Sequence, residues 1–367
     1  MHTKKTAIAG IALAAATALI LGACSTGGNN SNDADANGAD SAQKIILITH
    51  DSFALSDGIL AKFTEDTGIE VEVQAAGDAG AVVNRLILTK DSPLGDVVFG
   101  IDNTFASRAV NEGILENYTS PALVSAEEKF LLPAGGGREQ LTPITSGDVC
   151  VNVDHQWFTE AGIPEPVTLD DLVKPAYKDL FVTSAPNSSS PGLAFLLATI
   201  AAKGEAVNGV GGWQQYWADL TANGVKLTAG WSDAYYVDFS GPSSEGDRPL
   251  VLSYASSPPF EVAEGETVAP TGVLLDTCFR STEYAGVIAG TEHSDAAHKL
   301  IDFLLSLPVQ NDIPESMYVF PVNPDATLPE AWATFAQVAP NPFVVDPAEI
   351  DQNRERWLSE WAAIAIP

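Results

Sequence analysis

From residue 44 onward the chain alternates short apolar runs with amphipathic stretches of helical period. Lys44-Ile45-Ile46-Leu47-Ile48-Thr49 predicts a strand. Residues 57–67 predict a helix with Ile59, Leu60 and Phe63 on one face. Ile69-Glu70-Val71-Glu72-Val73 alternates as a second strand, and residues 81–90 place Val82, Val83, Leu86 and Ile87 on one helical side. Asp96-Val97-Val98-Phe99-Gly100 is nearly all apolar, as strands covered on both faces are. Residues 105–113 read as helix. This strand-helix alternation argues for α/β layers around a parallel sheet. Further strands are predicted at 148–153, 180–183, 250–254, 274–279 and 284–289. Further helices are predicted at 193–202, 213–223, 295–307 and 347–363. Trp213, Trp217, Trp357 and Trp361 fall at helical spacing and are read as packing residues.

The first 43 residues have a different character. Lys4 and Lys5 precede an apolar run from Ala7 to Leu21, shorter than the ~20 residues that span a bilayer. The run reads as an export signal over residues 1–23. Its end, Leu21-Gly22-Ala23-Cys24, resembles the lipobox of bacterial lipoproteins, which implies cleavage before Cys24 and lipid on that cysteine. The alternative is an ordinary signal peptide with an incidental cysteine. The stretch after Cys24, up to residue 43, has no large apolar side chain to offset its ordering entropy and is expected to be a flexible tether.

Composition narrows the function. Length, 367 residues, allows about two domains at roughly 100–200 residues each. With 18 Lys+Arg against 48 Asp+Glu, the net charge of −30 argues against a nucleic-acid partner, which requires a basic face. It mildly favours cationic ligands. Apart from Cys24 there are two cysteines. Cys150 and Cys278 both lie in strand-like segments, and an exported location permits a disulfide between them. Two buried free thiols are the alternative, and metal binding by two distant cysteines without clustered histidines is disfavoured.

Ligands of open α/β sheets sit outside the carboxyl ends of the strands. Three such ends carry polar loops: Thr49-His50-Asp51-Ser52-Phe53, Gly100-Ile101-Asp102-Asn103-Thr104, and Ser253-Tyr254-Ala255-Ser256-Ser257-Pro258. Asn187-Ser188-Ser189-Ser190-Pro191-Gly192 adds a helix start. There, serine before proline makes either a plain N-cap or an anion site at the helix N-terminus. Trp231 follows Thr228-Ala229-Gly230 and opens a polar turn, which favours a ligand-facing role over a core one. Tyr254 ends a strand. His50 reads equally as a ligand contact or a structural hydrogen bonder.

Eight strings occur in order. They are His50-Asp51-Ser52-Phe53, Asn84-Arg85-Leu86, residues 96–103, residues 188–193, residues 230–235, residues 250–254 with Ser257-Pro258, Ile313-Pro314 with Phe320-Pro321-Val322, and residues 357–361. Together they resemble the thiamine-binding subunits of bacterial thiamine ABC transporters, from about residue 44 to 363. The resemblance implies an α/β, two-lobe type II periplasmic-binding-protein fold joined by crossover hinge strands. It implies lobe 1 over 44–148 and 275–312, lobe 2 over 149–274, and a segment 313–367 packing across both. Cys150 and Cys278 would then lie on neighbouring crossovers, which favours their pairing.

The resemblance also implies a monomer outside the membrane, lipid-anchored at Cys24, that passes thiamine or a phosphate ester to a permease and an ATPase, with no cofactor, no bound metal and no enzymatic step. Its implied ligand contacts are His50, Asp51, Asp78, Asn103, Ser188, Ser189, Trp231, Tyr235, Tyr254, Phe260 and Tyr318. Asp78 would meet the aminopyrimidine, and the aromatic rings would face the cationic thiazolium. This chain has His50 and Phe260 where the family carries tyrosine, Tyr318 where it carries tryptophan, and Thr145-Ser146-Gly147 in place of Asp-Tyr-Gly.

Two other readings compete. A ferric-binding protein of the same fold would use a tyrosine pair, and Tyr235-Tyr236 invites the comparison. In a strand, however, successive residues face opposite ways. An exported hydrolase needs a nucleophile with its base or paired carboxylates. The chain has no G-x-S-x-G or H-E-x-x-H and only five histidines, among which His155, His293 and His298 lack a partner motif.

Overall fold

The computed structural model describes residues 43–123 and 130–366. The expected signal, lipidated Cys24 and tether lie outside the described residues.

The chain begins as expected. β1 (Gln43–Thr49), α1 (Ile59–Thr67), β2 (Ile69–Ala75), α2 (Ala79–Leu88), β3 (Val97–Asp102) and α3 (Ala106–Asn111) alternate. β1 lies between β2 and β3, parallel to both. The apolar run of β3 is buried over its whole length, because helices cover both faces of the sheet.

The two long strands that follow exceed the sequence reading. β4 (Thr142–Asp154) begins six residues before the predicted strand at 148, and every residue of it is buried. It leads into α4 (His155–Ala161), β5 (Phe181–Ser184), α5 (Ser190–Lys203), α6 (Gly212–Ala222), β6 (Lys226–Thr228), the single turn α7 (Trp231–Asp233) and β7 (Leu250–Tyr254). β8 (Thr271–Val287) is one continuous strand where two separate ones were expected. Polar Arg280-Ser281-Thr282-Glu283 interrupts its apolar pattern, yet the backbone pairs straight through.

The sheet order is β2-β1-β3-β8-β4-β7-β5-β6. β8 is antiparallel to β3 on one side and to β4 on the other, and β4 is antiparallel to β7. The pair β4–β8 therefore joins the β1–β3 half of the sheet to the β5–β7 half.

After β8 come α8 (Ser294–Leu304), α9 (Leu307–Met317), the short β9 (Phe320–Pro321) paired with β4, α10 (Glu330–Phe335) and α11 (Pro347–Ala365). The single helix expected over 295–307 ends at Leu304, and Pro308 starts a separate one. α11 packs on both α3 and α6. Trp361 meets Trp217 edge-on at 5.7 Å, Arg354 lies 4.6 Å over the Phe105 ring, and Asn111 donates to Asp351 at 2.7 Å. Trp213, Trp217, Trp357 and Trp361 are all buried, as their helical spacing predicted.

Cys150 and Cys278 form a disulfide between β4 and β8, with Cα atoms 4.2 Å apart. They sit where the β4–β8 register shifts, between Val149↔Phe279 and Val151↔Leu274. Thr277 fills that gap: its Oγ1 accepts from Val151 N at 2.9 Å and donates to Leu274 O at 2.7 Å.

Candidate functional site

The ends of β1 and β7, the starts of α2 and α5, the α7 turn and the end of α9 converge on a cavity of about 300 Å³. That volume suits one small ligand. Eight of the residues singled out in the sequence line it: His50, Asp51, Asp78, Trp231, Tyr235, Tyr254, Phe260 and Tyr318.

Aromatic rings make one wall. Trp231 stacks on Tyr235 at 5.1 Å and 24°, and meets Tyr236 edge-on at 5.3 Å. Its indole Nε1 donates to Ser253 Oγ at 3.0 Å, which fixes the ring orientation. Tyr254 stands edge-on to Trp231 at 6.5 Å. Phe260 and Tyr318 close the far side, rings 4.7 Å apart and nearly perpendicular. Tyr318 caps α9 at φ 54°, a left-handed backbone uncommon for a bulky residue. Ser256 Oγ donates to its carbonyl at 2.7 Å and helps to hold it there.

Acidic side chains line the same cavity. Asp51, Asp78 and Glu283 line the cavity with His50. His50 Nε2 lies 3.4 Å from Glu283 Oε1, and Thr145 Oγ1 donates to Glu283 Oε2 at 2.7 Å. His50 reaches this place only because residue 100 is glycine. A Cβ there would come within 2.2 Å of the imidazole, and the backbone adopts φ +98°. The same glycine marks the bulge between β3 and β8. Burial would lower the imidazole pKa, but Glu283, with help from Asp78 and Asp51, raises it above its ordinary value. Burial pushes Glu283 the other way, and His50 and Thr145 hold it below the usual carboxylate value.

Asp78 occupies a junction. It caps α2 through Ala79 N at 2.7 Å, accepts from Ser190 N at 3.1 Å and accepts from Trp231 N at 2.9 Å. Burial raises its pKa, against the pull of those backbone donors. Asp102, buried at the end of β3, accepts from Thr104 and from Ser190 Oγ. Burial pushes it up to about 6. Ser52 and Ser232, both lining the cavity, bring their hydroxyls within 3.2 Å of each other. The α2 and α5 starts pack so closely that a Cβ at Gly80 would meet the Ser188 backbone at 2.7 Å.

Three of the sequence-derived positions are not among the lining residues. Asn103 donates to Arg280 O at 3.1 Å and accepts from Thr282 N at 2.9 Å, pinning β3 to β8. Ser188 donates to Ala229 O at 2.6 Å. Ser189 is the buried N-cap of α5, accepting from Gly192 N and donating to Ser184 Oγ at 2.7 Å.

The structure adds Phe53, Ser190, Ser232, Tyr236, Glu283 and Met317 to the lining. Glu283 carried one sequence signal, a charge within an otherwise strand-like run. Tyr236 lines the cavity because residues 234–238 form a π-helical turn, not a strand. The expectation that Tyr235 and Tyr236 face opposite ways therefore does not hold: their rings stand 5.4 Å apart and both reach the cavity. The Tyr235 hydroxyl is buried without a hydrogen-bond partner, and burial, with Glu261 nearby, holds its pKa well above the ordinary value. Burial does the same to Tyr254, reinforced by Glu283. Among the described residues, no group of three or more His, Cys, Asp or Glu side chains is placed to hold a metal ion.

The "Thiamine-binding periplasmic protein" of Salmonella typhimurium is 27% identical over 326 residues, covering 86% of this chain and 92% of the relative. A solved "Periplasmic thiamin binding protein" superposes with a TM-score of 0.75 at 26% identity, over 88% of this chain and 96% of that one. Iron-bound HitA from Pseudomonas aeruginosa superposes with a TM-score of 0.66 at 19% identity, over 88% of this chain and all of that one, and shares the fold. The α/β architecture is that of type II periplasmic-binding proteins, as the sequence led one to expect. The family model for bacterial extracellular solute-binding proteins matches residues 92–339, and the chain belongs to that family.

Proposed function

We propose that this protein captures thiamine outside the cytoplasmic membrane and delivers it to the permease and ATPase of an ABC importer, without chemical change to the ligand. The observation that carries the reading is the meeting of aromatic and acidic side chains in one cavity. Trp231, Tyr235 and Tyr254 offer flat faces, and Asp51, Asp78 and Glu283 supply negative charge beside them. A planar organic cation suits both: its charge is attracted to the ring faces and to the carboxylates. The names of the relatives support the same ligand.

The proposal includes the lobes. Residues 44–148 and 275–312 form one and residues 149–274 the other, with β4 and β8 as crossovers and 313–367 packing across both. Asp78 and Asp102 on one lobe hold Ser190 and Trp231 on the other, as in a form closed around the ligand site. Anchoring through lipid on Cys24 and action as a monomer complete the reading.

Tyr235 and Tyr236 side by side keep a ferric-binding role as a second reading, since phenol oxygens suit a hard cation. Calorimetric titration of the purified chain with thiamine and with ferric citrate separates the two. One-to-one binding of thiamine, with no heat from iron, supports the proposal. Iron binding with colour and no thiamine binding rejects it.

A further inference from the structure

His50 is the one basic side chain among the described residues lining the cavity. It follows β1 directly, and its ring packs 5.5 Å from that of Phe99 on β3. Its Nε2 is buried without a hydrogen-bond partner, 3.4 Å from Glu283 Oε1. The charged groups that face it among the described residues are all acidic. Glu283 comes from β8, Asp78 from the start of α2, and Asp51 from the adjoining loop. Behind Glu283 lie Thr145 of β4, which donates to Oε2 at 2.7 Å, and Asp102 of β3. From β7, Tyr254 adds a phenol that burial keeps protonated.

Imidazole is the side chain whose charge changes near neutral pH. The thiazolium of thiamine is a quaternary cation whose charge does not. With His50 neutral, the carboxylates of Asp51, Asp78 and Glu283 face the ligand's charge unopposed. With His50 protonated, a positive charge stands among them inside the cavity, offsets one of them and repels the ligand. Proton and ligand therefore compete for the same negative field, and each weakens the binding of the other by the same factor. The acidic surroundings hold the imidazole pKa above its ordinary value in spite of burial. At about pH 6.5 more than half of the molecules thus carry the proton before the ligand arrives.

We propose that capture is a proton exchange, in which the incoming thiamine cation displaces a proton from His50, so that affinity rises with pH. This rests on thiamine being the ligand. The proton passes from the imidazole to the solvent, and no bond of the ligand changes. His50 thereby sets how tightly the cavity holds a cation at a given pH.

Calorimetric titration of the full chain with thiamine from about pH 6 to 8.5, beside His50→Gln, tests this. The association constant of the wild type is expected to rise roughly tenfold across that range. At about pH 7.5 the heat is expected to differ between MOPS and Tris buffers by the amount that release of up to one proton per thiamine requires. Both effects are expected to vanish in His50→Gln. Affinity that does not change with pH, with equal heats in the two buffers, overturns proton exchange and leaves thiamine capture intact. A pH dependence retained in His50→Gln assigns the proton to a carboxyl group and overturns the role of His50. Should that variant fail to fold, Glu283→Gln removes the nearest carboxylate and is expected to move the rise to lower pH; a rise at unchanged pH overturns the proposal. Absence of thiamine binding at every pH, in a chain shown to be folded, overturns thiamine capture and this proposal with it.

Discussion

Asp78 Oδ2 accepts the backbone N–H of Trp231 at 2.9 Å, across 153 residues of sequence. One carboxylate thereby sets the position of the largest aromatic face in the cavity, while its other oxygen takes the start of α5. Both residues line the cavity, which is built around this contact.

Trp231→Ala is expected to remove the stacking face and to weaken thiamine binding by about 2–3 kcal/mol, the scale of a buried aromatic anchor. Trp231→Phe keeps a ring but loses the bond to Ser253 Oγ, so an intermediate affinity is expected. Calorimetry on both variants, with circular dichroism to verify folding, measures the effect. Unchanged affinity in the alanine variant would remove Trp231 from the site.

The sequence shows the α/β class because buried strands such as β3 are apolar throughout and the helices between them carry one apolar face. Eight cavity-lining positions are legible because loops at strand ends concentrate polar and aromatic residues. Three things are not legible. That Ser188 and Ser189 lie outside the cavity lining is hidden because a serine run before proline is the same string whether it caps a helix or meets a ligand. Tyr236 is missed as a lining residue because a π-turn leaves no period that separates it from a strand. Glu283 is missed because its partners, His50 and Thr145, lie 233 and 138 residues away.

The His50–Glu283 pair carries a pH signature. His50 is raised, so its contribution to stability is full below the ordinary imidazole value and fades as pH rises through its folded value. Glu283 is lowered, so its contribution is full above the ordinary carboxylate value and fades as pH falls through its folded value. The pair therefore stabilises most between about pH 4.3 and 6.5. Urea midpoints of wild type and His50→Gln across pH 4–9 are expected to differ most within that window and to converge outside it.

Asp102 works in the opposite sense. Burial raises it to about 6, so the folded state binds a proton that the unfolded state releases near pH 4. Its contribution to stability falls as pH rises from about 4 to about 6, by ~3 kcal/mol in all. In Asp102→Asn that slope is expected to vanish, and the stability of the variant relative to wild type is expected to increase across the window. A difference between the two that does not change with pH would contradict the assignment.

The Cys150–Cys278 bridge closes a loop with a sequence separation of 128. Chain entropy makes it worth up to about 5 kcal/mol. A double Cys150→Ser, Cys278→Ser variant is expected to unfold at a markedly lower urea concentration, and reductant is expected to shift the wild type toward it without affecting the variant. Coincident unfolding curves for the two proteins would show that the bridge does not constrain the unfolded chain.

The most direct test of thiamine capture uses tryptophan fluorescence. The purified chain, with seven tryptophans, is titrated with thiamine beside Trp231→Phe. The account predicts saturable one-to-one quenching at sub-micromolar thiamine in the wild type and loss of most of that signal in the variant. Fluorescence that does not respond to millimolar thiamine, in a chain shown to be folded, would contradict it.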